Sequence, residues 1–462
     1  MNTFRQHIAE ISGLRFIYEN LNIKSSIGRK QLLNSKLFID KKDLETTFSC
    51  LSKAVDYVKR NNDTANYKKL CHHLSDINDI SASIQNLKDG NILDDIALFE
   101  IKKFAIISEK LKDIFEKSGF AQVIIFDLEE VISILDPENS GIPTFYIYSS
   151  YSKELAQLRK NIETETNQEK NDKIRVKCYE LEDKIRIDLS KRLVNSALKI
   201  SHNLEQFAHV DNMLAKAELS ITQNFSCPEI TEKTEYKAVF NPEISKILEA
   251  EGKSFQPIDI SITNEPFLIT GANMSGKTVL LKTMALCQYL FQFGFYIPAK
   301  SAKICIVDKI MLSIGENQNE MNGLSSFAVE MLNINKIISE AKSGKRILAL
   351  VDELARTTNP DEGKAFVSAF VQMMTKLNVS SLITTHYSGM NSDCKRLRVK
   401  GLRKIKNTDE VTVKNINDFM DYSLEIVNDD NVPNEAIRIA EILDIDEDFI
   451  KLTKASVKKK FE

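Results

Sequence analysis

The residues best suited to chemistry in this sequence are a lysine and a hydroxyl that follow two glycines at fixed spacing. They stand in Gly271-Ala272-Asn273-Met274-Ser275-Gly276-Lys277-Thr278, a Gly-x-x-x-x-Gly-Lys-Thr string. The apolar run FLIT precedes it and a helical pattern follows, which is the strand, loop and helix order in which such a loop wraps the phosphates of a nucleotide. Backbone N–H groups of the loop and of the helix N-terminus would meet phosphate oxygens. Lys277 would reach the β- and γ-phosphates of ATP, and Thr278 would hold Mg²⁺ through its hydroxyl.

About 75 residues beyond Lys277, the run ILALV ends in Asp352-Glu353. An apolar run that ends in two carboxylates is a buried strand presenting acids at its C-terminal end, where α/β sheets bind ligands. Asp352 is expected to bind the metal and Glu353 to orient or deprotonate the attacking water. A second such run, SLITT, ends in His386, placed to sense the γ-phosphate through a hydrogen bond. Between these motifs lies Asn322-Gly323-Leu324-Ser325-Ser326-Phe327, a helix start with hydroxyl caps. Beyond capping, Ser325 and Ser326 could offer a second phosphate-binding edge, donated across a dimer to the other subunit's nucleotide.

These groups must be positioned by ordered domains, and the composition supplies them. The chain has 462 residues, of which 27% are charged, with 15 Gly and 9 Pro. That length holds several domains with sizeable cores. The net charge of -3 gives no global field for a polyanion, so any nucleic-acid contact needs a local basic patch. Seven cysteines without a C-x-x-C pair fit neither a disulfide framework nor a zinc ribbon, and they point to a reducing cytoplasm. Cys71-His72-His73 reads as a helix surface. The N-terminus lacks the apolar core of a signal peptide. The longest apolar run, VLLKTMALCQYLFQFGFYI, follows the phosphate loop directly and contains Lys282. It reads as the buried first helix of a nucleotide-binding domain rather than a membrane span.

Apolar spacing of three and four residues predicts helices through LRFIYENL, LETTFSCLSKAVDYV and IALFEIKKFAIISEKLKDIF. From 152 to 204 the chain is highly charged and free of Gly and Pro. This predicts a solvated helical pair, either a plain exposed element or an arm that closes on a partner. After about residue 226, EYKAVF, PFLIT, KICIVDKIMLSI, RILALVD and SSLITTH alternate with helical patterns, which argues for a parallel sheet of βαβ type. The expected organisation is α plus α/β: a helical domain over 1–225, a P-loop ATPase domain over 226–425 and a helical segment over 426–462.

Taken together, these motifs resemble the MutS family of ABC-type ATPases. The family loop reads close to T-G-P-N-M-G-G-K-S, and Thr270 to Thr278 follows it, the Asn273-Met274 pair being its specific part. Similar too are Gly294-Phe295-Tyr296-Ile297-Pro298-Ala299 to G-x-Y-V-P-A, GLSSFAVEM to G-x-S-T-F-x-V-E-M, DELARTTNPDEG to D-E-[IL]-G-x-G-T-x-x-x-[DE]-G, and TTHY to A/T-T-H-Y. In the helical half, LNIKSSIGRKQLL and ISASIQNLKDGNIL look like the family's core and lever helices. The resemblance implies a homodimer of head-to-tail ATPase domains with composite sites. Lys277, Thr278, Asp352, Glu353 and His386 would come from one subunit and Ser325 and Ser326 from the other. Asn273 would contact the nucleotide or its water, Phe255 would stack on adenine, and the tail EAIRIAEILDIDEDFIKLTKA would support dimerisation.

The departures bear on the client. The mismatch-reading and connector domains that precede the core in repair MutS proteins are expected to be missing, as is a small nuclease domain after the tail. The clamp is reduced to the short charged segment, and Phe16-Ile17-Tyr18-Glu19 lacks the Phe-x-Glu spacing of a mismatch wedge. Ala355 and Thr357 replace two family glycines. A Cβ disfavours φ > 0, so this loop is expected to differ from that of repair enzymes. The resemblance offers DNA as the cargo of the closing arms. DELARTTNP and GIPTFYIYSSYSKELAQLRK look instead like MutS-related ATPases associated with reactivating a cobalamin-dependent lysine 5,6-aminomutase, which would make the client a protein.

Overall fold

The computed structural model describes residues 3–118, 123–271, 275–314, 326–388, 390, 394–403, 416–427, 435–442 and 445–458. Its architecture is α plus α/β, and the chain divides into two compact units. One comprises residues 1–20, 36–48 and 220–462, the other 21–35 and 49–219.

The first unit carries the strands, in chain order β1 (Glu229–Ile230), β2 (Thr234–Val239), β3 (Ile258–Ile262), β4 (Pro266–Thr270), β5 (Ser301–Ile304), β6 (Lys309–Ser313), β7 (Ile347–Val351), β8 (Ser380–Thr384), β9 (Lys395–Leu402) and β10 (Met420–Ile426). Among the described residues they form a four-stranded sheet, β1-β5-β2-β3, and a six-stranded sheet, β10-β9-β4-β8-β7-β6. From β9 through β6 the larger sheet is parallel, and β10 closes one edge antiparallel to β9. β4 and β7 are buried at every position. That follows from cover on both faces, which removes any need for polar alternation. Ile347, Ala349 and Val351 share a core with Ile334 and Ile337 of helix Ser326–Lys342 and with Val367, Phe370 and Met374 of helix Pro360–Lys376. The intervening Leu348, Leu350 and Leu382 are buried as well.

The long apolar run forms helix Lys277–Gln292, buried almost throughout. It packs against β6, β7 and β8 and is covered elsewhere by the start of the chain. Phe4 meets Phe293 edge to face at 4.8 Å between centroids, Phe48 stacks on Phe291, and the methyls of Leu286 lie against Gly13. The Gln292 side chain donates to the carbonyls of Phe38 and Val307 at 3.0 and 2.8 Å. Two-sided cover is why this helix is apolar over most of its surface, Lys282 being exposed. No described helix is long and apolar enough to cross a membrane.

Gly294 ends that helix in a left-handed conformation, φ +68°. Its N–H donates to the Phe291 carbonyl and the Phe295 N–H to that of Leu290, the paired bonds of a Schellman cap. A Cβ at Gly294 would lie 2.5 Å from Thr47 Cγ2. Gly294→Ala therefore combines a left-handed penalty of about 1–2 kcal/mol with overpacking of about 1–3 kcal/mol. Urea unfolding should show a loss of about 2–5 kcal/mol; a loss below ~0.5 kcal/mol would contradict this account of the cap.

The second unit is helical. Helix Lys153–Thr164 pairs with helix Gln168–Leu193 through Arg159 and Glu182, 2.8 Å apart. In the same unit Asp211 accepts from the Lys24 and Ser25 amides and from the Ser25 hydroxyl at 2.6–2.9 Å. A Cβ at Gly28 would come 2.6 Å from that carboxylate, so the glycine makes room for the clamp. The buried Lys102 ammonium donates to Asp136 at 3.0 Å and to the Tyr148 hydroxyl at 2.8 Å.

Candidate functional site

The candidate residues converge because β4, β8 and β7 are adjacent parallel strands whose C-terminal ends lie side by side. Ile269 is in register with Thr384, and Val351 with Ile383. The phosphate-loop residues follow β4, Asp352-Glu353 follow β7, and His386 follows β8. This is the edge at which doubly wound sheets place ligands.

Gly271 and Gly276 both have positive φ, +152° and +82°. A Cβ at Gly271 would approach Ser275 Oγ to 2.9 Å, and one at Gly276 would meet the Tyr422 ring at 3.2 Å. Gly276 caps helix Lys277–Gln292, whose first N–H groups have no acceptor within the helix itself. Ser275 is buried, and its hydroxyl has no hydrogen-bond partner among the described residues. Lys277 Nζ donates to the Gly271 carbonyl at 2.8 Å. Burial lowers the Lys277 pKa, against the opposing pull of Glu353 and Asp352. Asn273, Met274 and Ser325 lie outside the described residues. Ser326 is the first residue of helix Ser326–Lys342.

Thr278 Oγ1 donates to Asp352 Oδ2 at 2.7 Å. The hydroxyl and the carboxylate thus face each other, an all-oxygen donor set of the kind that suits Mg²⁺. The other Asp352 oxygen accepts from the Thr384 hydroxyl at 2.6 Å, and that hydroxyl in turn accepts from the Glu353 N–H at 2.8 Å. Thr384 is fully buried and ties the two acids to the end of β8. Both Glu353 carboxylate oxygens are engaged, one by His386 Nε2 and the other by Arg356 at 3.3 Å. The His386 hydrogen bond holds the Glu353 carboxyl below its ordinary pKa, against the effect of burial.

Phe255 lines a cleft of about 400 Å³ that opens onto Ser275 and Gly276 and also contains Val279, Ile258 and Tyr422. The Gln256 side chain donates to Asp421 at 2.9 Å and accepts from the Tyr422 amide at 3.1 Å. These bonds fasten the Phe255 segment to β10. Two aromatic rings at an apolar cleft beside Ser275 and Gly276 offer flat faces on which a planar ring could stack.

Sequence reasoning had not singled out Thr384, Arg356 or Tyr422. The first two stand inside motifs it quotes, SLITTH and DELARTTNP. Tyr422 lies about 145 residues beyond the loop and carries no local signal.

Residues 267–461 match the family model described as MutS domain V. In this C-terminal part the chain is similar to the MutS family. It is 29% identical over 279 residues to the DNA mismatch repair protein MutS of Acetivibrio thermocellus, covering 59% of this chain and 31% of that protein. Against the DNA mismatch repair protein MSH3 of Vanderwaltozyma polyspora the identity is 28% over 277 residues, 58% of this chain and 26% of the relative. Against the Endonuclease MutS2 of Thermus thermophilus it is 32% over 219 residues, 47% and 28%. The chain thus spans about a third or less of the length of these MutS relatives. The matched region contains the whole edge formed by β4, β8 and β7.

Proposed function

We propose that this chain is a MutS-type ATPase that binds and hydrolyses Mg-ATP and uses the cycle to open and close helical arms on DNA. The observation that carries the reading is the bonded series from Thr278 through Asp352 and Thr384 to Glu353 and His386, with Lys277 beside Thr278 and bonded to the Gly271 carbonyl. It joins three strand ends into one site of the composition that phosphoryl transfer needs.

In this reading Lys277 and the N–H groups at the helix start hold the phosphates, and Ser275 turns its buried hydroxyl toward them. Thr278 and Asp352 would hold Mg²⁺, which supplies charge neutralisation of the phosphate oxygens. Glu353 takes the proton of the attacking water once its carboxylate is released from Arg356. His386 holds the other Glu353 oxygen and faces the γ-phosphate. Phe255 and Tyr422 enclose the adenine. Two copies pair head to tail, so that Ser325 and Ser326 of one reach the nucleotide of the other.

Tyr422→Ala tests the base pocket. Base–aromatic stacking contributes about 1–3 kcal/mol, so Kd for a fluorescent ATP analogue should rise about tenfold or more. An unchanged Kd would remove Tyr422 from the site.

DNA as the cargo draws its support from the MutS domain V match over residues 267–461 and from relatives named for DNA mismatch repair and for an endonuclease. The lysine 5,6-aminomutase client gains no support from them. Gel shifts with duplex DNA at low and moderate salt should give a complex that weakens with salt and changes with ATP. Absence of a complex at both salts in every nucleotide state would contradict DNA as the cargo.

A further inference from the structure

The turn after β7 holds two non-glycine residues in the left-handed region, Glu353 at φ +52° and Ala355 at φ +62°. Each costs an L-residue about 1–2 kcal/mol, and such conformations persist only where the surroundings over-determine them. At Ala355 they do. Ala355 is fully buried, and side chains from two other elements hold its backbone on both sides. Its N–H donates to Glu330 Oε1 at 2.8 Å, and its carbonyl accepts from the Tyr387 hydroxyl at 2.7 Å.

Neither holder belongs to the turn itself. Glu330 lies just over one turn into helix Ser326–Lys342. Tyr387 follows β8, and its amide is fixed by the Thr385 hydroxyl at 3.0 Å. The Tyr387 hydroxyl occupies space left by Gly363 in helix Pro360–Lys376, where a Cβ would come within 2.1 Å of it. Three elements therefore meet at one strained peptide, two residues beyond the Glu353 carboxylate.

We propose that Glu330 and Tyr387 are positioning residues for ATP hydrolysis: they clamp the Ala355 peptide in its left-handed turn and so hold Glu353 against His386. The inference rests on the reading of Glu353 as the base and deepens it, because it names what sets the carboxylate's place. It also ties the position of Glu353 to the helix that begins at Ser326. Without the clamp, alanine relaxes from the left-handed region and the turn carries Glu353 away.

The test is Mg-ATP turnover in full-length variants, with kcat and KM separated and Kd for a fluorescent ATP analogue and Tm measured beside them. Tyr387→Phe and Glu330→Ala should each lower kcat about tenfold, the worth of one hydrogen bond, with Kd within about twofold of wild type. Glu330→Gln keeps an acceptor for the Ala355 N–H and should retain most of kcat. Ala355→Gly added to Tyr387→Phe should restore kcat by about threefold or more, because glycine occupies positive φ without strain. Unchanged kcat in Tyr387→Phe and Glu330→Ala, or equal loss in Glu330→Gln and Glu330→Ala, would overturn the clamp. So would kcat losses that track a fall in Tm and resist Ala355→Gly. A wild-type chain that binds no nucleotide and releases no phosphate would instead sink the ATPase reading beneath it, and the two failures are told apart by the wild type alone.

Discussion

Glu353→Gln is expected to leave Mg-ATP binding intact and to slow hydrolysis by about 10²–10⁴-fold, the usual worth of a positioned general base. The groups assigned to the phosphates and the metal are Lys277, Thr278 and Asp352, and the substitution touches none of them. Glutamine keeps the shape of the side chain and can still bond His386 and sit beside Arg356. It cannot take a proton from water. Kd from a fluorescent nucleotide titration should stay within about threefold of wild type while phosphate release in single-turnover conditions collapses. Equal turnover in wild type and variant would assign the base elsewhere.

Lys277→Ala acts on the other end of the site and should be nearly as large. Lys277 is buried, seated on the Gly271 carbonyl, and it is the cation whose charge interacts with both Asp352 and Glu353. Its removal leaves two acids facing incoming phosphates with no compensating charge on the loop. Removing one preorganised donor of this kind costs about 10²–10³-fold, here expected as a rise in Kd for ATP measured by calorimetry. The fold should survive, because helix Lys277–Gln292 stays anchored by the buried apolar side chains from Leu280 to Phe291. A Kd within about threefold of wild type would take Lys277 out of the phosphate site.

Much of the site was legible in the sequence because its parts sit at the ends of strands buried at all or all but one position. PFLIT, ILALV and SSLIT are short apolar runs bounded by polar residues, and each coincides with a strand. Their C-terminal neighbours are the residues that could do chemistry. β9 and β10 were harder to read, since both are half-exposed and carry charges, as in KRLRVKGL and MDYSLEI. Without them nothing in the sequence brings Tyr422 to Gly276. β3 was hidden in the same way, by its alternation of exposed and buried positions.

The turn after Asp352 shows where sequence reasoning stops for a different reason. Ala355 and Thr357 invite the expectation of an altered loop. Ala355 nonetheless takes positive φ, while Thr357 is not among the described residues that do. What permits this is the pair of bonds from Glu330 and Tyr387, which come from 25 and 32 residues away. Local propensity cannot see partners at that distance. The start of the chain makes the same point: the patterning of Phe4 and Gly13 predicts helices but does not say that they cover helix Lys277–Gln292.

Phosphate release from ATP by the purified chain, with Mg²⁺ supplied or withheld, tests the central claim most directly. The account predicts steady turnover that requires Mg²⁺ and is lost in Lys277→Ala. Turnover undiminished in Lys277→Ala, or a wild-type chain that neither binds ATP nor releases phosphate, would contradict it.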